Sequence, residues 1–263
     1  MNPKTILNSL FLKAKSKDEF EYICALLRIR GVESAGWDPF VETQQLFNDM
    51  VALAQSPLQG NTQVRILLFV YCHITEVDAI YYVLENMLRT IEGDRCSISP
   101  FMHLYGKKKT IFDSRSPSAK QVVKSLQEHA QKLGEKDLSD LLVWMFNEQV
   151  RNAFFHSDYT IFKDEFRSRE ANFKTNNVIT KSIKLNELIA LINRGLSFFQ
   201  EFMLVYTEHK LSYNEPKIIH GRIGSNGESE PVELIIGDKN GGVCGFKSVS
   251  GQDKECVKRE NVT

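Results

Sequence analysis

Residues 148–161 read EQVRNAFFHSDYTI, and the fold expected for the whole chain turns on how this stretch is understood. Within it Arg151, Asn152 and His156 make a compact set of phosphate-handling groups. An arginine offers a permanently charged fork that can hold a phosphate on two oxygens. Histidine is the side chain best suited to moving a proton near neutral pH, and asparagine donates or accepts a hydrogen bond without charge. Arg151 and His156 are five positions apart, so on a regular helix they stand roughly 140° apart. They can face one cleft if His156 lies where the helix ends. Ser157 and Asp158, which favour turns and caps over helix interiors, suit such an end.

The string RNAFFHSDY follows an amphipathic run, LSDLLVWMF, and precedes an aromatic-rich stretch. In that setting it resembles the signature of the HEPN superfamily, a nucleotide-binding helical domain. The family motif is Arg, usually a polar residue, three more positions, then His, and Arg151, Asn152 and His156 match it in turn. The remaining helical segments are compatible with the family. The resemblance implies a metal-independent endoribonuclease that cuts single-stranded RNA by attack of its own 2′-OH. His156 would take the 2′-OH proton or protonate the leaving 5′-oxygen, Arg151 would stabilise charge on the phosphoryl oxygens, and Asn152 would hold the phosphate or the imidazole. One histidine does not easily serve as base and acid in a single step, so a homodimer across the motif helix is implied as well. The same resemblance points to a toxin or phage-defence role, with an antitoxin or regulator protein as a further partner.

One position departs from a related pattern. In HEPN toxins silenced by nucleotide transfer a tyrosine lies two places after the histidine; here Asp158 stands there and Tyr159 follows. That puts this form of silencing in doubt. Tyr159, Asp158 and Glu148 are expected near the cleft, with Tyr159 more naturally a packing aromatic. The bland alternative is a salt bridge of Arg151 to Glu148 or Asp158, with His156 bonding a carbonyl. Some family members keep the fold without catalysis, so the second functional reading is a non-catalytic HEPN module that binds RNA or a protein partner, with the C-terminal sheet as its docking surface. A purely structural helical protein is a third reading.

Bulk properties restrict this picture without deciding it. The 263 residues suffice for one large domain or a domain with an appendage. Thirty-three basic and thirty-three acidic side chains cancel, so any attraction to RNA must come from a local patch. Lys107, Lys108 and Lys109, with Lys163, Arg167 and Arg169, are the candidates for that patch; the lysine run read alone is a solvated turn. Five scattered cysteines without a C-x-x-C pair suit a reduced, cytoplasmic protein. The N-terminal apolar run is too short for a signal peptide. Six histidines lack paired ligand spacing, and neither a GxGxxG nor a GxxxxGK[ST] loop nor a G-x-S-x-G elbow is present. No metal and no cofactor are expected.

The fold class follows from periodicity: mainly α, a HEPN-like helical bundle with a long central helix, plus a small C-terminal antiparallel β meander. Helices are expected over 18–30, 40–55, 62–92, 118–133, 137–151 and from about 180 to 209, the last capped by Thr180 or Ser182. The 62–92 segment carries two adjacent apolar stripes and reads as the central core helix; His73, Glu76 and Asp78 argue against a membrane span. Residues 93–118 read as a connecting loop. KIIHGRI, PVELIIG and VCGFKSV, separated by Asn226-Gly227 and Asn240-Gly241, read as three antiparallel strands leaning on the helices. The expected division is a helical domain over 1–210, a β-rich appendage over 211–250 and a flexible tail over 251–263.

Overall fold

The computed structural model describes residues 1–27, 39–55, 60–105, 116–175, 178–222, 228–237 and 241–249. Lys107, Lys108, Lys109, the Asn226-Gly227 turn, Asn240 and the 251–263 tail lie outside them. Helix α1 (Pro3–Lys17) opens with Pro3 in its first turn and the Asn2 side chain accepting from the Thr5 N–H. This pairing satisfies an otherwise orphaned donor. Leu7, Leu10, Phe11 and Ala14 recur on one face and are fully buried. Helix α2 (Glu19–Leu27) follows directly, then α3 (Pro39–Gln55).

The 62–92 segment is two helices, α4 (Asn61–Ile74) and α5 (Asp78–Glu92), bent by 44°. At the elbow the Thr75 hydroxyl turns back on the Cys72 carbonyl, and the Tyr81 hydroxyl donates to the Thr75 carbonyl. Side chains thus take over carbonyl partners where the helical ladder stops. The protein has two cores, and residues of both apolar stripes legible in the sequence, such as Leu84 and Leu88 of one and Ile80 and Val83 of the other, enter the larger. Ile80, Val83, Leu84, Met87 and Leu88 of α5 join α1, α2, the helix α6 (Ala119–Lys132) and the helix α7 (Lys136–Met145) in the larger one. Leu68, Tyr71 and Cys72 of α4 join a smaller one. Among its described residues the connecting stretch holds a 3₁₀ turn (Met102–Leu104). Ser118 and Gln121 form the reciprocal cap that starts α6.

The expected 137–151 helix is also broken. α7 stops at Met145, and α8 (Glu148–Phe155) begins anew with Asn147 as its cap, its side chain accepting from the Val150 N–H at 3.0 Å. Beyond α8 lie five short strands that helical periodicity did not reveal: β1 (Thr160–Phe162), β2 (Glu165–Arg167), β3 (Phe173–Thr175), β4 (Val178–Thr180) and β5 (Ser182–Lys184). β1-β2-β5 form one antiparallel sheet and β3-β4 a hairpin. Ile161, Phe166 and Ile183 pair across the sheet and turn inward onto the smaller core. Thr180 and Ser182 are therefore strand residues. Helix α9 (Leu185–Leu211) starts after Lys184 without a side-chain cap, its Leu185 N–H bonding the Asp164 carbonyl.

At 27 residues α9 is the long central helix, packed on α1, α4 and α7 and supplying residues to both cores. Among the described residues it is the one single helix long and apolar enough to cross a membrane. Its Leu188, Ile192, Phe199, Phe202 and Val205 fill the protein interior instead. The meander is as expected: β6 (Ile218–Gly221), β7 (Glu230–Ile236) and β8 (Val243–Ser248) pair antiparallel in order. Val232, Leu234 and Val243 enter the larger core, and Phe246 packs on Phe20 of α2 with ring centroids 4.8 Å apart.

Candidate functional site

The smaller core positions the motif. Val150 and Ala153 bury one side of α8 against α4 and α9, leaving Arg151, Asn152, Phe155 and His156 toward the surface. α8 ends in a tight left-handed closure. His156 is the C-cap, Ser157 takes φ 53°, the Ser157 N–H bonds the Phe154 carbonyl, and the Asp158 N–H bonds the Ala153 carbonyl. Glycine usually occupies the left-handed position of this closure, and serine there costs about 1 kcal/mol. The closure frees His156 from the helix surface and leaves it exposed, as the sequence required.

Asp158 turns back to tie down the following bend. One carboxylate oxygen accepts from Ser168 Oγ at 2.6 Å and the Glu170 N–H at 2.9 Å; the other accepts from Arg169 Nε at 3.1 Å. The Ser168 hydroxyl, the Glu170 N–H and Arg169 hold this carboxyl well below the usual carboxylate range. It is therefore ionised near neutrality and is no general acid.

Arg151 is gripped on three sides. Nε donates to Glu76 Oε1 at 2.7 Å, Nη1 donates to Asn152 Oδ1 at 2.8 Å, and the guanidinium carbon lies 4.9 Å from the Phe155 ring centre. Neither Glu148 nor Asp158 is its ion-pair partner. Glu148 faces α6 and pairs with Lys120 at 3.0 Å, away from the cleft. Asn152 and His156, one turn apart, line a cleft of about 240 Å³ together with Gln149, Asp158, Ser168 and Glu170. Arg151 stands just outside it. The structure thus joins Asn152 to both partners without bringing the arginine and the histidine into one cavity.

No protein-family model matches this chain, and neither does a curated protein or a solved structure.

Tyr159 stacks with both Phe154 and Phe166, with centroid distances of 5.8 and 5.2 Å. It is a packing aromatic at the edge of the smaller core. Arg167 bonds Glu165 and lies 4.7 Å from the Phe162 ring centre; Lys163 Nζ lies 5.5 Å from the same ring. Arg167 borders a second, larger groove, which Lys163 does not line. His73 stacks on Phe69 and approaches Thr43, away from the motif cleft. Among the described residues no group of three or more His, Cys, Asp or Glu could hold a metal ion.

Sequence reasoning missed Glu76 as part of the site. In an unbroken 62–92 helix it is one more solvated carboxylate, and nothing local ties it to a residue 75 positions away. It also missed Tyr71. The hydroxyl of this fully buried side chain donates to the Met145 carbonyl and accepts from the Asn147 N–H, holding the α7–α8 break in place.

Proposed function

We propose that this chain is a HEPN-type, metal-independent endoribonuclease acting on single-stranded RNA. The observation that carries this reading is the cleft in which Asn152 and His156 stand together while the Asn152 amide holds the Arg151 guanidinium. In the reaction the 2′-oxygen bonds to the adjacent phosphorus and the bond from phosphorus to the 5′-oxygen breaks. His156 takes the 2′-OH proton, and a proton must reach the departing 5′-oxygen. With Nε and one Nη1 hydrogen committed, Arg151 retains one further Nη1 hydrogen and both Nη2 hydrogens to meet charge on the phosphoryl oxygens. Its place outside the cleft suits a phosphate lying over Asn152 rather than one sunk beside Ala153.

Asp158 is ionised and already bonded, so the second proton-transfer group has to come from elsewhere. A second His156 across a two-fold axis would supply it. Phe155 (47% exposed) and Phe69 (39% exposed) leave aromatic surface near the motif helix, which supports a homodimer there. Cleavage of host or viral RNA in a toxin or phage-defence setting is the physiological form of this reading, with an antitoxin or regulator protein to restrain it.

A specific observation favours the second reading, a non-catalytic HEPN module that binds RNA or a protein partner. Arg151 is paired with Glu76 and absent from the His156 cleft, as a structural arginine would be. Incubation of the purified protein with end-labelled single-stranded RNA in EDTA separates the two. The nuclease yields 2′,3′-cyclic phosphate ends, and Arg151→Ala and His156→Ala each lower the rate by on the order of 10²-fold or more. RNA left intact by a protein confirmed as a dimer would establish the binding module.

A further inference from the structure

The larger groove, of about 770 Å³, runs beside the His156 cleft and shares Asp158 and Ser168 with it as a common wall. Its size is that of a ligand cleft. Its floor includes a row across the outer face of the β1-β2-β5 sheet, where Thr160, Arg167 and Ser182 are direct register partners. Because side chains alternate along a strand, this row points away from Ile161, Phe166 and Ile183 on the buried face. Hydroxyls thus flank a guanidinium on an open surface.

Two more cations border the groove. Arg169 spends its Nε on Asp158, at the wall between the two spaces, and its side chain is 89% exposed. Lys181 bonds the Glu170 carbonyl at 3.2 Å. Against these three cations stand two carboxylates, Asp158 and Glu165, each already bonded by a neighbouring arginine and held below the usual carboxylate range. The groove therefore suits an extended anion with hydroxyls and phosphates. The one aromatic ring lining it, Tyr159, is already stacked with both Phe154 and Phe166 in the smaller core, which leaves it poorly placed to stack on a base.

From this juxtaposition we infer that the groove binds the sugar–phosphate backbone of single-stranded RNA continuing from the phosphate at His156, without reading its bases by stacking. The inference rests on the RNA reading of the motif. It adds a flanking-strand subsite built from Arg167, Arg169, Lys181 and the hydroxyl row, and it makes binding on that flank tolerant of sequence. Arg169, at the shared wall, meets the first phosphate beyond the cleft. Association through phosphates carries a characteristic salt dependence, because each neutralised phosphate releases counterions.

The test measures binding of labelled RNA by fluorescence anisotropy on the His156→Ala background, so that no strand is cut. Arg169→Ala with Lys181→Ala raises the Kd of a ten-nucleotide RNA by about tenfold or more and flattens the plot of log Kd against log salt by roughly 0.7 per lost contact. The penalty on a dinucleotide is several-fold smaller, and uridine and adenine tracts suffer alike. Unchanged affinity and slope for the ten-nucleotide RNA overturn the subsite. So does equal competition by polyglutamate of matched charge, which identifies a surface for acidic protein. The two readings fail separately. A parent protein that cuts no RNA but loses binding through these substitutions keeps the subsite and drops the nuclease. A protein that cuts RNA equally well with and without them keeps the nuclease and drops the subsite.

Discussion

Arg151 has its direction set by neighbours before any ligand arrives. Glu76 holds one edge of the guanidinium, Asn152 another, and Phe155 lies under its face. A pre-oriented fork loses less entropy when it meets a phosphate. Glu76→Gln weakens the edge contact while keeping its shape. On the proposed nuclease reading the expected result is a fall in kcat on the order of 10-fold to 10²-fold, with stability lowered by less than about 1 kcal/mol because the pair is partly exposed. Single-turnover cleavage beside urea denaturation reads the two effects apart; a loss of stability without loss of rate would mark Glu76 as a mere staple. Arg151, Asn152 and His156 were legible as a string because their chemistry is packed into six consecutive residues. Glu76 was not, because its role depends on where a second helix happens to end.

The α7–α8 boundary depends on a hydroxyl group supplied from a distance. Tyr71 holds both sides of the α7–α8 break, and Gly195 of α9 makes room for its ring: a Cβ there would lie 2.5 Å from Tyr71 Cδ2. Tyr71→Phe leaves the Met145 carbonyl and the Asn147 N–H without this partner and costs about 1–3 kcal/mol. Hydrogen exchange should then speed up at Asn147 and in the first turn of α8, ahead of α7. Uniform protection across the two helices would show that the break does not need the hydroxyl. Neither break carries a glycine or proline, the usual punctuation. At the α4–α5 elbow the apolar spacing runs on through Thr75-Glu76-Val77, so a periodicity argument continues one helix across it. The five strands over 160–184 escaped for the opposite reason: at three residues each they are too short to establish an alternation.

Two cores meet along α9, and the meander closes one end of the larger. Gly221 of β6 lies so close to Phe20 of α2 that a Cβ would come within 2.3 Å of the ring. Gly221→Ala should therefore cost about 1–3 kcal/mol through overpacking, with amide protection lost first in β6–β8; thermal melting and hydrogen exchange check both parts. The α5–α6 packing carries a charge dependence. His129 of α6 bonds buried Glu85 through Nδ1 at 2.8 Å and Glu92 through Nε2 at 3.1 Å, and Glu85 foremost, with Glu92, raises its pKa above the ordinary histidine value. The stability contributed by the charged imidazole is thus fully present below about pH 6.5. It is lost as pH rises through the elevated folded-state value. The urea midpoint should fall as pH rises over that range in the parent protein and fall less in His129→Gln; matched slopes would dismiss the linkage.

Short-range information was sufficient for several features of this protein. The motif string, the caps at Ser118 and in α8's closing turn, the helical majority and the three-strand meander all depend on neighbours within a few positions, where composition and spacing act directly. The α7–α8 break and the company Arg151 keeps depend on Tyr71 and Glu76, 74 to 76 positions from the groups they satisfy. A carbonyl or a guanidinium takes whichever partner the folded chain brings within hydrogen-bonding distance, and that proximity exists only once the cores have formed.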